Sequence, residues 1–230
     1  MQDVVLIPGL TCTYELFGSQ LKALAAAARV HVADHACAAS MADIAAMILA
    51  KAPRSFALCG LSMGGYLAFE IMRQAPERVT KLALLDTAAK ADTPERAAGR
   101  FALVAQAERQ GLGEVAKGLW PSWIHPRRVT DTALLATVAS MAANTGVTHF
   151  ARQQAAIAGR VDSSPGLAKI KVPTLVLVGR EDQATTVADA EVIAAGIAGS
   201  KLVVIEDCAH LSTLEQPEAV NRALLDWLGA

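Results

Sequence analysis

The sequence predicts an α/β fold with a doubly wound, mainly parallel sheet of six strands and one inserted helical segment. Three observations lead to this prediction. Short apolar runs alternate with longer segments of helical periodicity, the runs are mostly apolar on both faces, and one long stretch contains no convincing strand. Strands that are apolar on both faces are typical of buried parallel sheets. Their alternation with helices implies right-handed crossovers, and 230 residues that are 53% apolar can bury a large core.

The predicted strands are six apolar runs bounded by turn residues, at 4–7, 29–33, 55–61, 81–85, 173–178 and 201–205. Between them, apolar side chains recur at helical spacing. These helices are predicted at 17–28, 42–50, 63–74, 187–198 and 217–228. The third helix is expected to stop before Ala75-Pro76, because the residue before a proline disfavours the helical conformation.

The alternation breaks between about Thr93 and Pro165. Thr93 is a suitable N-cap and Pro94 a suitable first residue for a helix that opens this stretch. Trp120-Pro121 and His125-Pro126 interrupt its middle. We therefore expect residues 1–92 and 166–230 to form the core and residues 93–165 to form a helical insertion.

Composition and charge exclude several classes of partner. The net charge is −1 and aromatic residues make up 4% of the chain, which disfavours binding to nucleic acid or to an anionic membrane. No apolar run approaches the roughly 18 residues that a membrane span needs. The N-terminal residues lack the basic and apolar parts of a secretory signal, so we expect a cytoplasmic protein. We expect it to be either a monomer or a homodimer.

Motifs for metals and for common cofactors are absent from the sequence. It contains no HExxH, no paired Cys/His spacing for zinc, no GxGxxG and no Walker loop. The four cysteines form no CxxC pair and are expected to be free thiols. No metal or organic cofactor is therefore predicted.

The sharpest local signal is Gly60-Leu61-Ser62-Met63-Gly64-Gly65, which follows a predicted strand and precedes a predicted helix. A serine held on such a tight, strained turn requires neighbours two residues away that are nearly free of side chains. The helix that follows offers backbone N–H groups and the positive end of its dipole. This is the context of a G-x-S-x-G nucleophile elbow.

Over essentially its whole length the chain resembles the α/β-hydrolase superfamily. Besides the elbow, Pro8-Gly9-Leu10 resembles the glycine-bearing loop after the first core strand. Val178-Gly179-Arg180-Glu181-Asp182 resembles the G-x-x-D after the penultimate strand, and Cys208-Ala209-His210 resembles the terminal histidine segment. The order Ser, Asp, His is the order of this fold. The resemblance implies a core that lacks the first two strands of fuller relatives and carries a helical cap at 93–165.

The roles of three residues follow from this resemblance and from the chemistry of serine. Ser62 would be the nucleophile and His210 the base that takes its proton. Asp182 would fix the histidine tautomer and stabilise the imidazolium. Asp86, at the end of the fourth predicted strand, is the alternative acid, since some family members use that position.

The resemblance also implies an oxyanion hole and a substrate pocket. The backbone N–H groups of Met63 and Leu10 would be the oxyanion donors. This chain has Pro8-Gly9 where many relatives have His-Gly, so it lacks a side chain that often braces the loop. Trp120 and Trp123 in the insertion could line an apolar substrate pocket, or could serve only in cap packing.

The function expected from these features is hydrolysis of a small carboxylic ester or lactone through an acyl-enzyme on Ser62. The chain is similar to the capped, small-substrate branch that includes enol-lactonases and methyl-ester carboxylesterases. Alternatives on the same triad are C–C bond hydrolysis, a lyase step and perhydrolysis. A receptor that binds a small hydrophobic ligand without turnover is a further alternative.

Overall fold

The computed structural model describes residues 1–229, which contain a six-stranded parallel sheet with the strand order β2-β1-β3-β4-β5-β6. All six predicted strands are present. β1 begins at Gln2 and β4 at Val79, two residues before the predicted positions. The strands are β1 Gln2–Ile7, β2 Ala28–Val32, β3 Phe56–Leu61, β4 Val79–Leu85, β5 Thr174–Gly179 and β6 Lys201–Ile205.

Helices cover both faces of this sheet, which confirms the doubly wound fold class. The described residues form nine α-helices: α1 Gly18–Leu24, α2 Met41–Lys51, α3 Met63–Gln74, α4 Pro94–Gln110, α5 Leu112–Trp123, α6 Thr132–Ala158, α7 Val187–Gly196, α8 Ser212–Glu215 and α9 Pro217–Leu228. Short 3₁₀ turns link several of them, including one at Tyr14–Phe17 before α1.

The core has two apolar layers because successive strand residues point to opposite faces of the sheet. On one face Val5 and Ile7 of β1 lie in a cluster with side chains of α2, α3 and α7. On the other face Val4 and Leu6 lie in a cluster with side chains of α1 and α9. Every residue of β3 and β5 is buried. Each fully buried aliphatic side chain contributes about 1.5–3 kcal/mol to the stability of the fold.

The stretch between β4 and β5 is helical, as the sequence predicts. Thr93 caps α4 by accepting the Arg96 N–H at 3.3 Å. Pro121 lies inside α5, so Trp120-Pro121 does not end that helix. Gly146, with a φ of 69°, interrupts the helical geometry of α6.

Two local features differ from the sequence expectations. The helix expected at 17–28 ends at Leu24, because the chain turns at residues 25–27 and enters β2 at the buried Ala28. The short helix α8 was not predicted. No helix in the described part of the chain is long and apolar enough to cross a membrane.

Candidate active site

Ser62 lies at the junction of β3 and α3, with a φ of 56° and a ψ of −114°. Such a backbone conformation costs a non-glycine residue about 1–3 kcal/mol of free energy, so contacts with surrounding residues must maintain it. The Ser62 N–H donates to Leu85 O at 2.9 Å. The Thr87 hydroxyl donates to Ser62 O at 2.8 Å. The turn is therefore fixed from β4 and from the residues that follow it.

The glycines around Ser62 have no room for a side chain. A Cβ on Gly60 would lie 2.1 Å from Gly64 O, and a Cβ on Gly64 would lie 2.0 Å from Ile7 O. A Cβ on Gly65 would lie 2.3 Å from the Thr87 hydroxyl oxygen. All three contacts are shorter than real Cβ atoms permit. The steric requirement predicted from the sequence is thus present in the packing of α3 against the sheet.

Three of the predicted site residues come together at the carboxyl end of the sheet. Ser62 follows β3, Asp182 follows β5 and His210 follows β6. His210 Nε2 lies 2.8 Å from Ser62 Oγ, and His210 Nδ1 lies 2.8 Å from Asp182 Oδ2. The side chains of His210 and Asp182 are 6% and 0% exposed. Two hydrogen bonds therefore connect the serine hydroxyl to a buried carboxylate through one imidazole.

The carboxylate of Asp182 has a full set of hydrogen-bond donors. Its Oδ1 accepts the N–H groups of Ala184 and Thr185 at 2.8 and 2.9 Å. Its Oδ2 accepts the Thr185 hydroxyl at 2.8 Å in addition to His210. Burial by itself would raise the pKa of Asp182, but His210 and these donors outweigh it and lower that pKa. The donors therefore favour the ionised carboxylate.

The ionised carboxylate in turn acts on His210. Burial by itself would lower the pKa of the imidazole, but the charge and hydrogen bond of Asp182 outweigh burial and raise it.

Glu215 supports the segment that carries the histidine. Its Oε1 accepts the Ala209 N–H at 3.1 Å, and its Oε2 accepts the His125 N–H at 2.7 Å. A buried glutamate therefore ties the histidine loop to the turn after α5, in the middle of the helical insertion.

Asp86, the alternative acid, lies elsewhere in the hydrogen-bond network. Its Oδ1 accepts the Gly179 N–H at 3.0 Å, and its Oδ2 accepts the Ser212 hydroxyl. Burial and the nearby charge of Asp182 raise the pKa of Asp86 well above its usual range. Of the two candidate acids, Asp182 is the one whose side chain hydrogen-bonds His210 Nδ1.

The two residues predicted to carry the oxyanion donors lie next to Ser62: Met63 follows it in the chain, and Leu10 lines the same cavity. Met63 is the first residue of α3, and Leu10 lies in the turn after β1. Neither backbone N–H has a hydrogen-bond acceptor within residues 1–229. Gly9 is close enough that a Cβ there would lie 3.4 Å from Ser62 Cβ. Both N–H groups are thus available to a bound group beside Ser62.

Two buried side chains brace the loop of Leu10, and sequence reasoning did not find them. His35 Nε2 lies 2.8 Å from Gly9 O and 3.1 Å from Gln153 Nε2. Gln153 Oε1 accepts the Thr11 N–H at 3.1 Å. Burial lowers the pKa of His35 and so favours its neutral form. Together they hold a loop whose own residues, Pro8 and Gly9, have no hydrogen-bonding side chain.

A cavity of about 170 Å³ lies above Ser62, between the sheet and the helical insertion. Trp123 lines it, whereas Trp120 is not among its lining residues and packs against the core cluster of α1 and α9. Apolar side chains of the insertion form much of its wall, including Leu103, Leu119, Val138 and Ile157.

Residues 1–229 contain no group of three or more His, Cys, Asp or Glu residues placed to hold a metal ion.

Comparison with known proteins agrees with this architecture. The model of the Alpha/beta hydrolase family matches residues 4–223. The chain is 31% identical over 166 residues to 3-oxoadipate enol-lactonase 2 of Acinetobacter baylyi. That alignment covers 72% of this chain and 61% of the enol-lactonase, so the chain spans less than two thirds of its relative's length.

Solved structures superpose over the full chain. A thermophilic esterase from Thermogutta terrifontis gives a TM-score of 0.91 at 29% identity, covering 100% of this chain and 90% of the esterase. An enol-lactonase from Burkholderia xenovorans gives 0.89 at 26% identity, covering 100% and 92%. The sheet order, the serine turn and the matched family model lead to one conclusion: the chain belongs to the α/β hydrolase family.

Proposed function

We propose that this protein is a serine hydrolase that cleaves a small carboxylic ester or lactone through an acyl-enzyme on Ser62. The observation that carries the proposal is the hydrogen-bonded series Ser62, His210 and Asp182, with both contacts at 2.8 Å, beside a cavity. The names of the relatives, an esterase and enol-lactonases, support the same reaction class. We also propose that the protein is cytoplasmic and that it is a monomer or a homodimer.

The reaction begins with attack of Ser62 Oγ on the acyl carbon. His210 Nε2 takes the hydroxyl proton as the new C–O bond forms, and the Asp182 carboxylate stabilises the resulting imidazolium. When the tetrahedral intermediate collapses, His210 returns that proton to the leaving oxygen. A water molecule then attacks the acyl-enzyme with His210 again as base, which releases the acid and restores the Ser62 hydroxyl.

The negative charge of the tetrahedral intermediate develops on the former carbonyl oxygen. The N–H groups of Met63 and Leu10 are the proposed donors to that oxygen. Neither N–H has an acceptor within the described residues; Met63 directly follows Ser62, and Leu10 lines the same cavity as Ser62. His35 and Gln153 hold the Leu10 loop, so that donor is positioned before the substrate arrives.

The cavity volume predicts a preference for small acyl groups. About 170 Å³ is similar to the volume of an engineered cavity that binds benzene in another protein. We expect p-nitrophenyl acetate and butyrate to be hydrolysed with a higher kcat/KM than the octanoate. The measurement is release of p-nitrophenol from a series of esters from acetate to octanoate.

A folded protein that is inert towards every ester of this series would contradict the proposed activity. Turnover of a diketone by such a protein would favour C–C bond hydrolysis. Tight binding of a small hydrophobic ligand without turnover would favour the receptor alternative.

A further inference from the structure

One polar group beside the cavity has no hydrogen-bond partner among residues 1–229. Gln154 of α6 is fully buried and lines the same cavity as Ser62. Its Oε1 accepts the Arg100 Nη1–H at 3.1 Å, which fixes the orientation of the amide. Its Nε2 has no hydrogen-bond acceptor within the described residues. Because an unpaired buried donor is costly, this N–H₂ group points to an acceptor on a bound ligand.

Next to this amide the structure concentrates positive charge. The side chain of Asp92 is fully buried, Arg160 Nη1 lies 3.0 Å from its Oδ1, and Arg100 hydrogen-bonds both of its oxygens. Arg96 Nε lies 3.9 Å from Asp92 Oδ1. Burial by itself would raise the pKa of Asp92, but Arg100 and Arg160 outweigh it and lower that pKa. Three guanidinium groups thus surround one carboxylate, which leaves an excess of two positive charges.

This excess charge reaches the cavity. Arg96 and Arg100 both line it, and no aspartate or glutamate is among its described lining residues. Arg96 is 59% exposed and keeps most of its N–H groups free, whereas Arg100 is 17% exposed and still has N–H groups beyond those bound to Asp92 and Gln154. The guanidinium group of arginine is a planar fork of N–H donors, and its geometry matches the two oxygens of a carboxylate.

We propose that Arg96, Arg100 and Gln154 form a subsite for a carboxylate group, and that the substrate is an anionic ester or lactone. The substrate would carry this carboxylate in addition to the acyl group that Ser62 attacks. The inference rests on the proposed function for its reaction, but the subsite itself rests on the unpaired amide and the arginine cluster.

The test uses two pairs of esters that differ only by a carboxylate in place of a methyl group. Monomethyl glutarate is compared with methyl pentanoate, and 4-acetoxybenzoate with 4-methylphenyl acetate, so that the charge lies on the acyl side or on the alcohol side. In at least one pair, we expect the anionic ester to have a kcat/KM at least about tenfold higher than the neutral ester. A charge-assisted hydrogen bond to the carboxylate is strong enough to give a difference of this size. The Arg96→Gln and Gln154→Leu variants should lose this preference.

Arg109→Gln is the matched control, because Arg109 is an exposed arginine of the same helix, α4, and is not among the cavity-lining residues. It should keep the wild-type ratio. Arg96 is itself largely exposed, so Arg96→Gln should fold even if the buried Gln154→Leu variant does not. Equal kcat/KM values within both pairs, or an unchanged preference in Arg96→Gln, would overturn the subsite.

Binding separates this inference from the proposed reaction. Calorimetry on the Ser62→Ala variant should show tighter binding of monomethyl glutarate than of methyl pentanoate, with the difference lost on adding Arg96→Gln. If the wild type hydrolyses no ester, the proposed reaction fails, and calorimetry still decides the subsite. Equal binding of the two esters would then count against it.

Discussion

Replacing Ser62 by alanine is expected to lower kcat for ester hydrolysis by about 10⁵-fold. The variant lacks the oxygen that forms the acyl-enzyme, so only the oxyanion donors and substrate binding remain to assist attack by water. The fold should persist, because alanine tolerates the positive φ of position 62 no worse than serine does. The Ser62 N–H and C=O hydrogen bonds to Leu85 and Thr87 involve only the backbone of this residue.

Ser200→Ala is the matched control for this variant. Ser200 lies between α7 and β6, and its hydroxyl donates to Ala194 O at 2.9 Å, away from the cavity. Its variant should retain wild-type kcat. Circular dichroism and thermal unfolding should show that both variants are folded. A folded Ser62→Ala protein with more than about a tenth of the wild-type kcat would be incompatible with a serine nucleophile.

Replacing Asp182 by asparagine is expected to lower kcat by about 10⁴-fold, the loss seen for the equivalent change in another serine hydrolase. Oδ1 of position 182 faces the N–H groups of Ala184 and Thr185, so the amide oxygen of asparagine should remain there. The amide nitrogen would then face His210 Nδ1. This arrangement forces the proton onto Nε2, and that tautomer cannot accept the Ser62 proton.

Asp86→Asn distinguishes the two acids. Because the pKa of Asp86 is raised well above its usual range, asparagine resembles its neutral form, and the contacts to Gly179 and Ser212 involve no proton transfer in the mechanism. We expect Asp86→Asn to keep kcat within about tenfold of the wild type. A larger loss in Asp86→Asn than in Asp182→Asn would contradict the assignment of Asp182.

The same pair of variants has a pH signature. Only neutral His210 can accept the serine proton, so kcat/KM should fall at low pH with an inflection at the pKa of free His210. Asp182 raises that pKa above the ordinary value of histidine, so the inflection should lie above that ordinary value. Without the carboxylate charge, burial lowers the pKa, and the residual activity of Asp182→Asn should persist to lower pH. An unchanged inflection would mean that Asp182 does not control the imidazole.

The fold was predictable because its signals are local. Most strands are runs of apolar residues, β2 alternates apolar residues with Arg29 and His31, and β6 occupies the predicted residues 201–205 without any shift. The steric demand at Gly60 and Gly64 also appears as a short pattern around Ser62. Such features need only the sequence of one segment, so one chain is enough to recognise them.

The features of the site that the sequence did not predict depend on contacts between distant segments. Gln153 and His35 are 118 positions apart, and nothing near either residue indicates that they meet beside Gly9. Gln154 looks like an ordinary polar helix residue until the orientation of α6 places it in the cavity. The same holds for the two predicted tryptophans, of which Trp123 lines the cavity and Trp120 does not. Tertiary packing decides these positions.

The role of Ser62 as the nucleophile is tested by the site at which a fluorophosphonate labels the protein covalently. This reagent phosphonylates an activated serine: the serine oxygen bonds to phosphorus and fluoride leaves, and peptide mass spectrometry locates the adduct. We expect one adduct per chain on Ser62, loss of ester hydrolysis in proportion to labelling, and no adduct in Ser62→Ala. A folded, active protein that is labelled at another residue, or that keeps full activity when Ser62 is labelled, would contradict the central role of Ser62.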